Sequence, residues 1–109
     1  MESIEQYIEF YRDKHGRSHF HEWIVSLSIP VRARISDRIA RAGRGLLGDV
    51  HPIGEGLSEL RIHFGAGYRV YLALGEKSIL VLAGSDKSEQ KRTIKLSLDL
   101  WKEYKSRLA

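Results

Sequence analysis

The chain has 109 residues, of which 42% are apolar and 29% are charged, and its formal net charge is +4. This length fits one domain, residues 1–109, and the composition is that of a globular chain. Cysteine is absent, which excludes a disulfide framework and a thiolate metal site. Neither a signal-peptide pattern nor an apolar run of about 20 residues is present, so we expect a cytoplasmic protein.

Positive charge is concentrated in two segments of the chain. Residues 31–45 contain five arginines and one acidic residue, and residues 85–109 contain seven bases and four acidic residues. Such segments attract polyanions, although two solvated helix faces would have the same composition.

The first part of the chain predicts one strand and two helices. Residues 4–12 mix aromatic and β-branched residues, as strands do. After Ser18, a suitable N-cap, apolar residues at helical spacing predict a short helix, and these are Phe20, Trp23, Ile24 and Leu27. Pro30 begins a second helix with apolar Val31, Ile35, Ile39 and Ala42 on one face and Arg32, Arg34, Arg38 and Arg41 on the other. The two helices form a hairpin.

A β-hairpin is predicted after a Gly-rich loop over residues 46–56. Apolar and polar residues alternate from Leu57 to Leu74 around Gly65-Ala66-Gly67. A three-residue turn would pair Phe64 with Tyr68, Ile62 with Val70 and Leu60 with Leu72 on the apolar face. On the other face it would place His63 opposite Arg69 and Arg61 opposite Tyr71, where two arginines repel unless an anion joins them.

The last part of the chain predicts a buried strand and a helix. Residues 78–83 are nearly all apolar, as in a central strand. Asp86 with Glu89, or else Ser88, can cap the final helix. Its predicted apolar stripe is Ile94, Leu98, Trp101, Tyr104 and Leu108. The predicted order is β-α-α-β-β-β-α, an α+β fold.

Three segments in this order resemble the toxins of the RelE/ParE superfamily. They are Ser58-Glu59-Leu60-Arg61, Gly67-Tyr68-Arg69-Val70-Tyr71 and Gly84-Ser85-Asp86-Lys87-Ser88-Glu89-Gln90. The chain is most similar to the phage-derived addiction-module killer proteins, a HigB-like branch. This resemblance implies a curved antiparallel sheet with an N-terminal helical hairpin and a C-terminal helix. It also implies the toxin role in a type II toxin–antitoxin system.

The resemblance leaves the target open, because the superfamily includes ribosome-dependent RNA-cutting toxins and topoisomerase inhibitors. The first hypothesis is a metal-independent mRNA endoribonuclease, an mRNA interferase that inhibits translation and needs no cofactor. The second is a non-enzymatic, ParE-like toxin that binds DNA gyrase or another topoisomerase through its helical hairpin. Convergent arginines on the sheet favour RNA cleavage.

Each candidate residue for RNA cleavage also has a structural interpretation. Arg61 and Arg69 suit bidentate phosphate contacts, or they pair with Glu59 or Asp86. Lys87 contacts phosphate or acts as a base, or is a solvated loop residue. His63 and Tyr71 take part in proton transfer, or Tyr71 stacks on a base; otherwise His63 is a surface residue and Tyr71 packs across the strands. Gln90 and Lys91 complete the candidate RNA-binding set.

The sequence also leads to expectations about binding partners and metal ions. The resemblance implies a cognate helix-turn-helix antitoxin, through which the complex would bind DNA, and no membrane. The helix face with Arg34, Arg38 and Arg41 is the candidate antitoxin-binding surface, although a solvated face explains it as well. The histidines His15, His19 and His21 lie close together in the sequence, but Gly16 interrupts any helix that would align the first two, so no metal site is expected.

Overall fold

A computed structural model describes residues 6–109, which form an α+β fold with a C-terminal helix, as predicted. The elements in chain order are β1 (Tyr7–Phe10), α1 (His19–Val25), α2 (Ile29–Gly43), β2 (Val50–Gly54), β3 (Leu57–Ile62), β4 (Tyr68–Leu74), β5 (Ser78–Asp86), a 3-10 turn (Lys87–Glu89) and α3 (Gln90–Leu108). The predicted opening strand was too long, since only residues 7–10 of it pair, and its residues 4 and 5 lie outside the described residues.

The five strands form one mixed sheet in the order β1-β5-β4-β3-β2. Strand β1 runs parallel to β5, whereas the other neighbouring strands are antiparallel. The prediction of an antiparallel sheet was therefore wrong at one edge. Pairing between β1 and β5 joins residues about 70 positions apart, and local sequence patterns carry no information on such a partner.

Strand β2 lies inside the segment that was predicted to be a loop, so the predicted order was wrong by one strand. The strand contains Pro52 and is irregular between Pro52 and Gly54, which hides it from a composition-based prediction. It forms an edge of the sheet, where the missing N–H of a proline can be tolerated.

The β3–β4 register differs from the predicted one by two residues. Ile62 pairs with Tyr68 and Arg61 pairs with Arg69, so five residues rather than three connect the strands. Gly65 and Gly67 lie in this wider turn with φ angles of 56° and 77°, a region that favours glycine. A shift of two keeps every side chain on its predicted face but changes its partner.

Helices cover both faces of the sheet. One face packs against α1 and α2, whose predicted apolar faces are confirmed by buried Phe20, Ile35, Ile39 and Ala42. Helix α1 lies close to β5, because a Cβ atom at Gly84 would be only 2.1 Å from the Trp23 ring. Strand β5, an interior strand of the sheet, is buried between the two helical layers, as predicted.

Helix α3 packs on the opposite face, and its predicted apolar stripe is confirmed in part. Leu98, Trp101 and Tyr104 pack partly buried against the core. The buried residues, however, are Thr93, Ser97 and Leu100, and the predicted Leu108 is 69% exposed. Thr93 and Ser97 donate their hydroxyl hydrogen bonds to carbonyls one turn earlier, so small polar residues can face the sheet without losing hydrogen bonds. Within residues 6–109, no helix has the length and apolar character needed to cross a membrane.

Candidate nucleic-acid interface

Two arginines and one carboxylate meet on the α3 side of the sheet. Arg61 and Arg69 are direct cross-strand partners, and Glu59 lies two residues before Arg61 on the same face. Glu59 Oε1 accepts a hydrogen bond from Arg61 Nε at 2.7 Å and lies 3.8 Å from Arg69 Nε. We call Glu59, Arg61, Arg69 and Gln90 the Glu59 cluster. Glu59 is the anion that the facing arginines require.

Glu59 is held in place from several directions. Its side chain is 1% exposed, and its second oxygen accepts a hydrogen bond from Gln90 Nε2 at 2.8 Å. The hydrogen bond with Glu59 raises the pKa of the Arg61 guanidinium above its ordinary value. With two guanidinium groups and one carboxylate, the cluster keeps a net positive charge.

The two arginine side chains differ in their accessibility to a ligand. The side chain of Arg61 is 35% exposed, whereas that of Arg69 is 11% exposed. Arg69 Nη1 donates to the carbonyl of Gly67 at 3.0 Å, and its buried Nε has no hydrogen-bond partner within residues 6–109. Arg61 is therefore the accessible member, and Arg69 ties the cluster to the β3–β4 turn.

The two lysines predicted to bind RNA near the start of α3 lie at different distances from the Glu59 cluster. Lys87 is in the 3-10 turn beside the β3–β4 turn, since a Cβ atom at Gly67 would lie 3.9 Å from Lys87 Cβ and 3.5 Å from Arg69 Nη1. Lys91 is exposed on the first turn of α3 and makes none of the contacts of the cluster. Asp86, the other predicted partner of the arginines, instead accepts hydrogen bonds from Ser88 Oγ and Glu89 N.

Tyr71 is part of the interior. It has no exposed surface, and its hydroxyl lies 2.9 Å from Ser85 Oγ. Burial raises the pKa of Tyr71 to about 12, so the hydroxyl is protonated at neutral pH. The ring packs across the strands, the structural interpretation left open by the sequence, and cannot stack on an external base in this arrangement.

His63 lies beyond the end of β3 and points away from the Glu59 cluster towards Asp49. Its side chain is 75% exposed, and its Nε2 atom is 2.5 Å from Asp49 Oδ2. The other carboxylate oxygen of Asp49 is 2.5 Å from Nε2 of His51. Hydrogen bonds with His63 and then with His51 lower the pKa of Asp49. The Asp49 carbonyl also accepts from the Arg61 amide at 2.9 Å, which fixes Asp49 beside β3.

The arginines of α2 meet the same edge of β3. Together they border an open cleft of about 560 Å³, which we call the α2 cleft; its charged lining is Arg34, Arg38, Arg41, Arg61, Asp37 and Asp49, with His63 at its side. The guanidinium of Arg34 lies 4.5 Å from the centre of the Phe64 ring. The candidate antitoxin-binding residues and two of the candidate catalytic residues thus line one cleft.

Arg38 is the exception among the α2 arginines, because its donors are already used. Its guanidinium donates to the carbonyls of Leu46 and Leu47, and its burial lowers its pKa. The end of the guanidinium fills the space next to Gly48, where a Cβ atom would lie 2.1 Å from Nη2. Arg38 therefore holds the segment that carries Asp49.

Sequence reasoning did not single out Asp49 as a functional residue. The pair Gly48-Asp49 ahead of the hairpin is part of the resemblance but carried no role for the carboxylate; in the structure Gly48 has a φ of 64° and precedes β2. His19 does not join another histidine at a metal site; its Nε2 lies 3.1 Å from Asp13 Oδ2. Within residues 6–109, no group of three His, Asp or Glu side chains is arranged to hold a metal ion.

Comparison with known proteins places the chain in a family. No family model matches the chain. A protein of Haemophilus influenzae, described as uncharacterized, is 42% identical over 79 residues, which cover 70% of this chain and 79% of that protein. Identity at this level over most of both chains requires common ancestry and a common fold. The chain therefore belongs to the same family as this Haemophilus influenzae protein.

Proposed function

We propose that the chain is the toxin of a type II toxin–antitoxin pair, in the HigB-like branch of the RelE/ParE superfamily. In this proposal it cuts mRNA on the ribosome, without a metal ion, and so stops translation in the cytoplasm. The observation that carries the proposal is the pairing of Arg61 with Arg69 on a sheet face, where the single negative charge of Glu59 is shared between two guanidinium groups. Paired guanidinium groups are well suited to a phosphate that gains charge in the transition state.

The proposed reaction is an internal displacement at phosphorus. A base removes the proton of the 2′-hydroxyl, the 2′-oxygen bonds to phosphorus, and the bond from phosphorus to the 5′-oxygen breaks. An acid returns a proton to the 5′-oxygen, so the products are a 2′,3′-cyclic phosphate and a 5′-hydroxyl. The chain must supply cations for the phosphate and one group or more that transfers protons.

The contacts of the candidates suggest a division of roles. Arg61, the more exposed arginine, meets the phosphate, and Lys87 adds positive charge from the neighbouring turn. Arg69 and Gln90 position Glu59, which in turn orients Arg61. These are positioning residues, because Arg69 is only 11% exposed and donates to Gly67, and Gln90 donates to Glu59.

Proton transfer is assigned to His63 in this proposal. Its ring is exposed, and Asp49 bonds Nε2, which leaves Nδ1 for a substrate. Tyr71 supports the sheet from inside, since its hydroxyl is engaged with Ser85.

Inducible expression in a bacterial host tests the proposal, with primer extension on a reporter mRNA. We expect growth arrest with discrete new 5′ ends, both lost in the Arg61→Ala/Arg69→Ala variant. The matched control is Arg12→Ala/Arg17→Ala, which removes two exposed arginines near β1, at the other edge of the sheet. Undiminished cleavage in the Arg61/Arg69 variant, or an intact mRNA pool during arrest, would contradict RNA cleavage by this site.

A second candidate function is inhibition of a DNA topoisomerase by the helical hairpin. The observation that favours it is exposed apolar surface where α1 meets α2: Ile29 is 76% exposed and Val25 is 45% exposed. Altered plasmid supercoiling with intact mRNA, abolished by Ile29→Ser, would support this function over the first.

A cognate helix-turn-helix antitoxin is part of the proposal. Arg34 and Arg41 are exposed and free to meet acidic side chains, whereas Arg38 is bonded to its own chain. Purification of the tagged toxin from its native operon should bring down the product of an adjacent gene. Recovery of the toxin alone, in active form, would count against a dedicated antitoxin.

A further inference from the structure

We propose that the α2 cleft binds the sugar–phosphate backbone of single-stranded RNA and leads it to Arg61. This inference rests on the proposed function and extends it, because it assigns α2 residues to substrate binding. Arg34 and Arg41 would contact phosphates on either side of the bond that is cut.

The charge of the cleft is the first argument. Four arginines and two aspartates line it, so it keeps a net positive charge even when its imidazoles are neutral. Asp49 is bonded to two histidines, whose protonation would offset its charge. A concave surface with one prevailing sign concentrates ligands of the opposite sign.

Preorganisation is the second argument. The Phe64 ring packs against the Arg34 guanidinium at 4.5 Å, which limits the motion of the guanidinium while its edge N–H groups can still point at a ligand. Arg38 fixes the opposite wall by bonding the carbonyls of Leu46 and Leu47. A ligand therefore meets a cleft whose walls are already ordered.

Continuity with the Glu59 cluster is the third argument. Arg61 connects the two places: its Nε bonds Glu59, and the residue also lines the cleft, where its backbone N–H donates to the Asp49 carbonyl. His63 stands on the same border. A phosphate at Arg61 would thus have neighbouring phosphates within the cleft and a proton-transfer group at its side.

The lining favours a nucleic acid over an acidic protein segment. A docked amphipathic helix needs an apolar strip, but the only large apolar side chain of the cleft that is more than half exposed is Leu46, at 55%. The face of Phe64 is covered by Arg34. A stacked guanidinium and open cationic walls suit bases and phosphates.

Binding of a labelled 2′-O-methyl RNA oligonucleotide, followed by fluorescence anisotropy over a range of salt, tests the inference. This probe has no 2′-hydroxyl nucleophile, so binding is measured without cleavage. For Arg34→Ala/Arg41→Ala we expect roughly twentyfold weaker binding at about 0.1 M salt. We also expect the slope of log K against log salt to fall by about 1.4, the contribution of two phosphate contacts to a single strand.

Two control variants and a DNA probe sharpen the test. Arg12→Ala/Arg17→Ala removes the same charge from the other edge of the sheet and should change the slope little. Arg34→Lys/Arg41→Lys keeps the charge and should keep the slope. If phosphate contacts dominate, the Arg34→Ala/Arg41→Ala variant should lose affinity for a DNA oligonucleotide of the same sequence as much as for the RNA probe. Tighter binding of RNA than of DNA would indicate an additional contact to the ribose.

Three outcomes would overturn the inference. They are an unchanged slope in Arg34→Ala/Arg41→Ala, an equal loss in the Arg12/Arg17 control, and loss of antitoxin co-purification with RNA binding intact. The last would make the cleft a protein-docking surface. If wild-type protein produced no new RNA ends but the cleft variant still lost affinity, the inference would stand and the proposed cleavage would fall.

Discussion

Arg61 on β3 lies directly opposite Arg69 on β4, and the buried carboxylate of Glu59 approaches both. Facing like charges destabilise a sheet unless a counter-charge joins them. Glu59 supplies that charge and, through Gln90, ties the sheet to the first residue of α3. The same side chains thus stabilise the fold and present Arg61 at the edge of the α2 cleft.

Removal of the Glu59 charge should destabilise the protein. Glu59→Gln keeps the shape of the side chain but leaves two guanidinium groups facing each other, so we expect a loss of about 1–3 kcal/mol in the free energy of unfolding, measured with urea. Glu22→Gln, which breaks the exposed ion pair with Arg17, is the control and should have little effect. Equal stability of Glu59→Gln and wild type would show that the carboxylate does not hold the arginines.

Tyr71→Phe separates the structural role of this residue from a catalytic one. Loss of the buried hydroxyl leaves Ser85 without its partner and should cost about 1 kcal/mol. RNA cleavage should survive, because the hydroxyl is not exposed to a substrate. A variant with full stability but no cleavage would return Tyr71 to the catalytic set.

The raised pKa of Tyr71 should also make the free energy of unfolding fall in alkaline solution. Its pKa is raised from 10.0 to about 12 by burial, so above pH 10 the unfolded chain holds fewer protons than the folded chain. The contribution of Tyr71 to stability is therefore complete below pH 10.0 and declines as pH rises towards about 12. Urea midpoints of wild type should fall more steeply over this window than those of Tyr71→Phe; parallel curves would argue against the raised pKa.

Asp13 should make the free energy of unfolding depend on pH in acid solution. Amide hydrogen bonds, first from Arg17 and then from His15, with a further bond from His19, lower its pKa from 3.8 to about 2. In the folded state Asp13 releases its proton more readily, so its contribution is present above pH 3.8 and is lost as pH falls through about 2. Circular dichroism should show a weaker acid dependence in Asp13→Asn. Asp99→Asn, an exposed carboxylate on α3, is the control.

Gly48→Ala should disturb the α2 cleft through Arg38. The new Cβ would displace the guanidinium, and Leu46 and Leu47 would lose their donors, in addition to the roughly 1–2 kcal/mol cost of a positive φ. Gly45→Ala is matched, since Gly45 has a φ of 85° and no atom within 4 Å of its would-be Cβ. We expect the melting temperature to fall further for Gly48→Ala.

A double-mutant cycle checks this explanation. If Gly48→Ala expels Arg38, then Arg38→Ala should destabilise the Gly48→Ala protein less than it destabilises wild type. Additive losses in the two backgrounds would show that the substitution at Gly48 acts by backbone strain alone.

Local patterns in the sequence determined most of the elements and the buried faces of α1, α2 and the β-hairpin, but not strand β2 or the whole inner face of α3. The alternation from Leu57 to Leu74 predicted the β-hairpin, and helical spacing placed Phe20 and Ile35 on the inner faces of α1 and α2. These patterns are reliable because each residue's exposure follows from its neighbours within one turn or one pleat. They also placed Arg61 and Arg69 on one polar face.

Only the tertiary structure decided which side chains meet. The wider turn at Gly65 and Gly67 made Arg61 the partner of Arg69, and a contact across 31 positions brought Gln90 to Glu59. The α2 cleft arises because the segment after α2 folds back along β3. Hydrogen bonds from Arg38 to the carbonyls of this segment stabilise that path. Sequence periodicity fixes the face on which a residue lies, but register and long-range packing depend on the free energy of the whole fold, and these set the geometry of the proposed site.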